Sequence, residues 1–184
     1  MEVVKGPSST LFGSEAMAGL INVITKNVDC LPKVSIDFMA SSWGEIQTSL
    51  LVKTINNKRI KSFLTFDIFD YSNPIDNNAD GFTDLSLRKR YTLFNKMNFY
   101  SLKNPNNPFK LSLRFMNENR WGGQMDWNES FRGSNQLYGE SILTDRVEVG
   151  TSYRFPTEER LTWNSSYSWH TVSYTHLRAH ETVV

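Results

Sequence analysis

From Lys33 onward, apolar residues recur at every second position, and this period of two constrains the fold more than any other feature of the sequence. Successive side chains of a β-strand point to opposite faces, so strict alternation predicts strands with one apolar and one polar face. Seven segments alternate in this way, with apolar rows that begin at Val34, Ile46, Ile60, Tyr91, Phe109, Val147 and Leu161. No segment has a convincing helical period. We therefore predict a mainly β protein with seven antiparallel strands.

The composition leaves two classes of β protein open. The 184 residues are 13% aromatic and carry a net charge of +1, with a mean hydropathy of −0.43. Because basic and acidic residues are interspersed, we expect no nucleic-acid partner. A soluble sandwich would turn its apolar rows inward, whereas a transmembrane barrel would turn them toward lipid.

The lengths of the connections favour the barrel. If the first strand runs upward, the lower connections are 56–59, 101–108 and 156–160, all of modest length. Both long connections, 70–87 and 117–142, then lie at the upper side. Outer-membrane barrels have short periplasmic turns and longer extracellular loops.

The start of the chain carries an ordered motif. The strand-like residues 2–5 lead into Gly6-Pro7, an aromatic-glycine pair ends at Gly13, and Gly19 opens a β-branched run that contains Asn22. Gly6 and Gly13 suit turns, Pro7 fixes its own φ, and Gly19 lets the next strand pack closely. This motif resembles the end of the plug domain of TonB-dependent outer-membrane receptors. It departs from that pattern at Ala18, where the family usually has glycine.

The resemblance implies an architecture for the whole chain. Residues 1–26 would be the C-terminal end of a plug domain, residues 27–32 a linker that contains an inert Cys30, and residues 33–170 the first strands of the barrel. The expected fold is a partial transmembrane antiparallel β-barrel of about seven strands. Met1 is expected to be an internal start, with the signal peptide, the TonB box and most of the plug lying before it.

The same resemblance implies a function. Receptors of this family bind a scarce nutrient at their extracellular loops, such as an iron-siderophore, haem or cobalamin. They import it with the TonB complex and the proton-motive force, and they do no covalent chemistry. We therefore expect a protein of the bacterial outer membrane, in contact with its lipid, that is not an enzyme. No catalytic set with a supportable placement occurs in the sequence.

The end of the chain does not follow the alternation. After Trp169 the period is lost, and the residues from Val172 to Thr182 are expected to fit no strand. They resemble a tail that recurs in unrelated reading frames from metagenome assemblies, where sequencing adapter has been translated. We expect residues 171–184 to be non-native.

An acidic stretch between the third and fourth strands follows the pattern of a calcium loop. Oxygen donors stand at positions 1, 3, 5 and 9, with a backbone carbonyl at 7: Asp76, Asn78, Asp80, Asp84 and Phe82. Gly81 at position 6 allows the sharp turn. Position 12 is Leu87 rather than Glu, so a bidentate ligand is missing. An ordinary acidic turn is the alternative; within the family, cobalamin receptors use early-loop aspartates for calcium in a similar way.

The longest connection is rich in aromatic residues and in glycine. Its candidate contacts for a planar nutrient ligand are Trp121, Trp127, Arg132 and Tyr138, because exposed aromatic and Arg side chains are typical anchors. The alternative is that the loop folds back and uses the two tryptophans as a small core of its own.

The rival to the receptor is a soluble calcium-binding β-sandwich, such as a carbohydrate-binding module. One row of residues separates the two interpretations: Leu64, Phe66 and Ile68. In the sandwich this row is buried against another sheet, and in the barrel it faces outward.

Overall fold

The computed structural model describes residues 2–6, 19–22, 27–102, 104–134, 136–156 and 161–176. Over these ranges the chain is mainly β and contains no α-helix, which confirms the mainly β part of the predicted fold class; the transmembrane barrel stays a prediction. None of the helical turns within them has the length and apolar character needed to cross a membrane. The chain divides into two compact units, Met1–Leu31 and Pro32–Val184.

The first unit contains a two-stranded antiparallel ribbon of β1 (Glu2–Lys5) and β2 (Gly19–Asn22). A Cβ on Gly19 would lie 2.6 Å from the carbonyl oxygen of Val4, so the predicted close approach at this glycine is confirmed. Gly6 has a φ of +96°, as its predicted turn role requires. Pro7 and Gly13 lie outside the described residues. The ribbon alone does not amount to a plug domain, and that assignment stays a prediction.

A single 3-10 turn, Val28–Cys30, lies in the predicted linker. Val28 is fully buried and the thiol of Cys30 is exposed.

The second unit is built on one antiparallel sheet of seven strands, which confirms the predicted number. The strands are β3 (Val34–Ala40), β4 (Ile46–Asn56), β5 (Ile60–Tyr71), β6 (Leu87–Phe99), β7 (Phe109–Gly123), β8 (Gly139–Arg154) and β9 (Thr162–His176). Their order across the sheet equals their order in the chain, so every neighbouring pair is a hairpin. The sheet is not closed, and β3 and β9 form its two edges.

The predicted bounds of the longest connection, 117–142, are wrong. β7 continues to Gly123 and β8 begins at Gly139, which leaves a loop of residues 124–138. The paired residues at this end of β7 include Asn117, Glu118 and Asn119. Because polar residues occupy both faces there, the alternation disappears while the backbone ladder continues.

The predicted end of the last strand is also wrong. β9 runs to His176, which pairs with Glu140 of β8. The alternation does stop after Trp169. The first residues of β8 nevertheless present backbone N–H and C=O groups with which a partner strand can pair. Backbone pairing therefore extends through Val172, where side-chain pattern alone predicts none. The proposed non-native origin of residues 171–184 stays a prediction.

The strand register places all the predicted apolar rows on one face of the sheet, since directly paired residues share a face. The central row crosses all seven strands: Ile36, Leu50, Phe66, Leu93, Phe115, Val147 and Trp169. The next row, on the side of Val34, is apolar or aromatic except at Asn95: Val34, Val52, Leu64, Asn95, Leu113, Val149 and Tyr167. We call these two rows the apolar band.

The opposite face is mainly polar at the same height, although Leu51, Phe94 and Met116 also lie on it. One of its rows reads Asp37, Ser49, Asp67, Thr92, Met116, Arg146 and His170. In the adjoining row, Arg114 forms an ion pair with Glu148, and Glu148 also lies 2.7 Å from the Nε atom of Arg146. All the ion pairs named here lie on this face, whereas the apolar band contains no charged residue.

The row that separates the barrel from the sandwich is not buried. Phe66 is 39% exposed, and Leu64 and Ile68 are half-buried. A closed two-sheet core, which the sandwich requires, is not present among the described residues of the second unit. The exposed row is the arrangement that the barrel interpretation predicts.

Candidate functional site

The two longest connections of the sheet meet at one end. Because successive strands reverse direction, residues 41–45, 72–86 and 124–138 lie at the same end, which we call the upper end. The described residues of the connections that follow β4, β6 and β8 lie at the opposite, lower end. The predicted asymmetry of long and short connections is thus confirmed.

Backbone hydrogen bonds join the two upper loops. The amide of Thr83 donates to the carbonyl oxygen of Gly123 at 2.8 Å, and the amide of Met125 donates to that of Gly81 at 2.9 Å. Phe82 and Gln124 form an isolated antiparallel bridge between these bonds. The two loops therefore present one continuous surface.

The acidic loop is folded by its own side chains. Asp76 accepts hydrogen bonds from the amides of Gly81, at 2.9 Å, and Asp80, at 3.3 Å. Asp80 accepts from the amide of Phe82 at 2.8 Å, and Asp84 accepts from the amide of Asn77 at 2.9 Å. Short polar side chains commonly organise turns in this way.

The backbone of this loop includes two left-handed residues, Ala79 with a φ of +59° and Gly81 with a φ of +81°. The predicted sharp turn at Gly81 is therefore present. A φ above zero is costly for a non-glycine residue, so the hydrogen bonds of Asp76 and Asp80 must hold Ala79 in place.

The predicted calcium ligands take part in the hydrogen bonds that fold this loop. Asn78 accepts a hydrogen bond from the amide of Asp80 at 3.2 Å, so the side chains of four of the five candidates accept hydrogen bonds from amides of their own loop. Within the described ranges, no three Asp, Glu, His or Cys side chains are grouped as a metal centre would need. Calcium binding by Asp76, Asn78, Asp80, Phe82 and Asp84 stays a prediction.

The two tryptophans proposed as ligand contacts are buried. Trp121 is 8% exposed and Trp127 is 7% exposed, and both belong to a cluster that we call the upper core: Phe69, Tyr71, Leu87, Trp121 and Trp127. Trp121 lies on β7 rather than in the loop. The expectation of exposed tryptophans is wrong. The alternative is right that both are buried, but their core is shared with β5 and β6 and does not belong to the loop alone.

The absence of a side chain at Gly139 makes room for the indole of Trp127. A Cβ on Gly139 would lie 2.3 Å from the indole Cδ1 and Nε1 atoms of Trp127. Only glycine at the start of β8 leaves room for the ring, so the loop closes against the strand that follows it.

Arg132 is held by the strands beneath its loop. Its Nε donates to the hydroxyl of Ser141 at 3.0 Å, and its Nη2 donates to the side-chain oxygen of Asn119 at 3.2 Å. Ser141 is almost completely buried. The guanidinium therefore fastens the loop to β7 and β8, which leaves it less available to a ligand than the sequence alone predicts.

Tyr138 is the candidate contact that is open to solvent, with 46% of its surface exposed. Its ring lies edge-to-face with Phe82, with the ring centroids 6.1 Å apart. The sequence pattern predicts a role for the backbone carbonyl of Phe82 and none for its side chain. No sequence signal indicates the pair, because the two rings come from different loops.

Charges of both signs border the upper core. Burial, together with the charges of Glu45 and Asp84, raises the pKa of Tyr71, which lies above the apolar band at the end of β5. Arg88 lies over the ring of Phe69, 4.5 Å from its centroid. Stacked cations and an acidic rim could orient a charged, planar molecule here.

Comparisons of the chain with protein-family models, with curated proteins and with solved structures found no match.

Proposed function

We propose that the chain is part of a TonB-dependent outer-membrane receptor, comprising the end of its plug and the first strands of its barrel. The apolar band carries this proposal. It crosses all seven strands on one face, and its members include Phe115, which is 46% exposed. A soluble monomer rarely exposes a contiguous apolar patch of such extent, whereas lipid would cover it favourably.

The dimensions of the apolar face support a membrane position. On β6 this face runs from Tyr91 to Phe99, interrupted only by Asn95, and a transmembrane strand needs about 9–11 residues. The Asn95 amide donates to the hydroxyl of Ser62 and to the carbonyl oxygen of Phe63, at 3.2 and 2.9 Å. Its donor group is therefore satisfied within the protein.

Aromatic residues flank this face at the lower end. The rings of Phe99 and Phe109 are 6.2 Å apart, and those of Tyr153 and Phe155 are 4.9 Å apart. Aromatic girdles of this kind mark the interface between hydrocarbon and headgroups in outer-membrane barrels.

The upper surface is where the proposal places nutrient binding. Phe82 and Tyr138 offer exposed aromatic edges, and the acidic loop beside them offers the candidate calcium ligands. An iron-siderophore, haem or cobalamin has the planar or apolar parts that such rings bind. The involvement of the TonB complex and of the proton-motive force is inferred only from the family resemblance of residues 2–26.

Lipid contact is the decisive test. Trp163 and Trp169 lie on the apolar face, so brominated lipids should quench their fluorescence when the full chain is reconstituted into vesicles. The double variant Trp163→Phe/Trp169→Phe should lose most of the quenching. The matched variant Trp121→Phe/Trp127→Phe removes two buried rings and should retain it.

A soluble sandwich predicts a different outcome. In that case the chain would remain in the aqueous phase, and brominated and ordinary vesicles would give the same fluorescence. That result would refute the receptor proposal.

A further inference from the structure

The lower end of the sheet contains a cavity that the receptor proposal does not use. It lies between the β4–β5 turn and the β6–β7 connection and has a volume of about 570 Å³. Its polar lining residues are Asn56, Asn57, Lys58, Lys61, Tyr100 and Ser101. The volume falls within the ~300–1,000 Å³ typical of small-molecule sites.

The walls of this cavity are ordered by specific hydrogen bonds. The side-chain oxygen of Asn57 accepts from the amides of Arg59, at 2.9 Å, and Ile60, at 2.7 Å. The amide of Tyr100 donates to the carbonyl oxygen of Arg59 at 2.7 Å and so joins the two connections. The cavity is thus a built feature of two turns that are fixed to each other.

One lysine of the cavity is oriented by an aromatic ring. The ammonium of Lys61 lies 5.1 Å from the centroid of the Tyr100 ring, a distance at which cation–π attraction is appreciable. Lys58 projects from the turn beside it and is exposed. Two lysines therefore line one recess, together with residues that carry side-chain amide and hydroxyl groups.

The two segments of the chain that line this cavity have a single sign of charge. The segments 50–66 and 96–115 contain no Asp or Glu, and their basic residues include Lys53, Lys58, Arg59, Lys61, Lys96 and Lys110. The upper end, by contrast, carries Asp76, Asp80 and Asp84. Clustered positive charge in a concave site attracts and concentrates anions.

We propose that this cavity binds a phosphate group, through Lys58 and Lys61 with help from the Asn and Ser donors of its wall. Phosphate oxygens accept several charge-assisted hydrogen bonds at once, which suits a recess with convergent donors. The group can belong to a free phosphate compound or to a phospholipid headgroup, since both present the same oxygens. The proposal uses only lower-end contacts and does not rest on the receptor assignment.

The test is isothermal titration of the full chain in a non-ionic detergent, with two probes. Inorganic phosphate represents the free compound, and dihexanoyl phosphatidylglycerol below its micellar concentration represents the headgroup. We expect saturable binding of at least one probe that weakens as salt is raised. Binding of phosphate alone identifies a soluble source, and binding of the lipid without competition by phosphate identifies the headgroup.

The variant Lys58→Gln/Lys61→Gln should lower the affinity by about tenfold or more, as expected for loss of charge-assisted hydrogen bonds. The variant Lys33→Gln/Arg154→Gln removes the same charge from the second unit outside the cavity and should change the affinity less than about twofold. Lys58→Arg/Lys61→Arg should retain binding. Lys58→Glu changes only an exposed turn residue, so it gives the same test if the double variant does not fold.

Two results would overturn the proposal. One is no saturable heat with either probe. The other is an equal loss of affinity in the cavity variant and in the Lys33/Arg154 variant, which would show general attraction to a basic protein rather than a site.

Discussion

Large apolar side chains are exposed in the middle of the seven-stranded sheet and buried at its upper end. In the middle, large apolar residues such as Phe66, Leu93 and Phe115 are exposed, and the polar residues of the other face form the ion pairs. At the upper end, the aromatic residues Phe69, Trp121 and Trp127 are buried, and the cationic groups of Arg88 and Lys89 lie over two of their rings. Under the receptor proposal this difference corresponds to two surroundings: water around the loops, and lipid around the middle of the sheet.

The largest expected effect is at the upper core. Trp127→Ala should lower the free energy of unfolding by about 3–5 kcal/mol, since it removes a buried indole and leaves a cavity. Urea unfolding of the reconstituted chain measures this. Trp43→Ala, at an exposed upper turn residue, is the control and should cost far less. Equal costs would contradict the distinction between the core and its surroundings.

A charge in the apolar band should have the next largest effect. Leu93→Arg in lipid vesicles should destabilise the chain by about 2–4 kcal/mol, because the guanidinium would face hydrocarbon. Thr92→Arg is the matched control, one residue away and on the polar face, and should change stability by less than about 0.5 kcal/mol. If both substitutions are harmless, the band faces water and the comparison fails.

The contact between Trp127 and Gly139 can be isolated by a double-mutant cycle. Gly139→Ala should cost about 1–3 kcal/mol, because its new methyl group would overlap the indole. In a Trp127→Ala background the same change should cost almost nothing. Urea midpoints of the four variants measure the coupling, and an unchanged cost in that background would place the strain elsewhere.

The smallest effect concerns calcium. For a Kd of about 1 mM, typical of weak extracellular sites, about 10 mM calcium should stabilise the upper end by ~1.4 kcal/mol. Asp80→Asn should abolish the stabilisation, whereas Asp126→Asn, in the neighbouring loop, should keep it. Thermal unfolding with and without calcium measures both, and no shift in the unchanged chain would exclude calcium binding at this strength.

Prediction from the sequence succeeds where side-chain pattern and backbone structure depend on the same residues. The central row from Ile36 to Trp169 could be predicted strand by strand, because each member alternates with a polar neighbour. The continuation of β9 to His176 could not, since backbone pairing there depends on β8 and not on the apolar pattern. How far β9 extends depends on which backbone groups of β8 are available for pairing.

The candidate site follows the same division. The left-handed Gly81 and the acidic loop are local features, and the sequence indicates both. The burial of Trp121 and Trp127 depends on a fit against Gly139 and Leu87, which no local pattern contains. The pairing of Phe82 with Tyr138 is likewise a contact between loops, visible only once β6, β7 and β8 are in register.

The sequential order of β3 to β9 also bears on how the sheet can assemble. Every strand pairs only with its neighbours in the chain, so each addition closes a single connection, the longest of them residues 72–86 and 124–138. The entropy cost of closing such loops grows only slowly with length. The sheet can therefore grow one hairpin at a time, without waiting for contacts between distant parts of the chain.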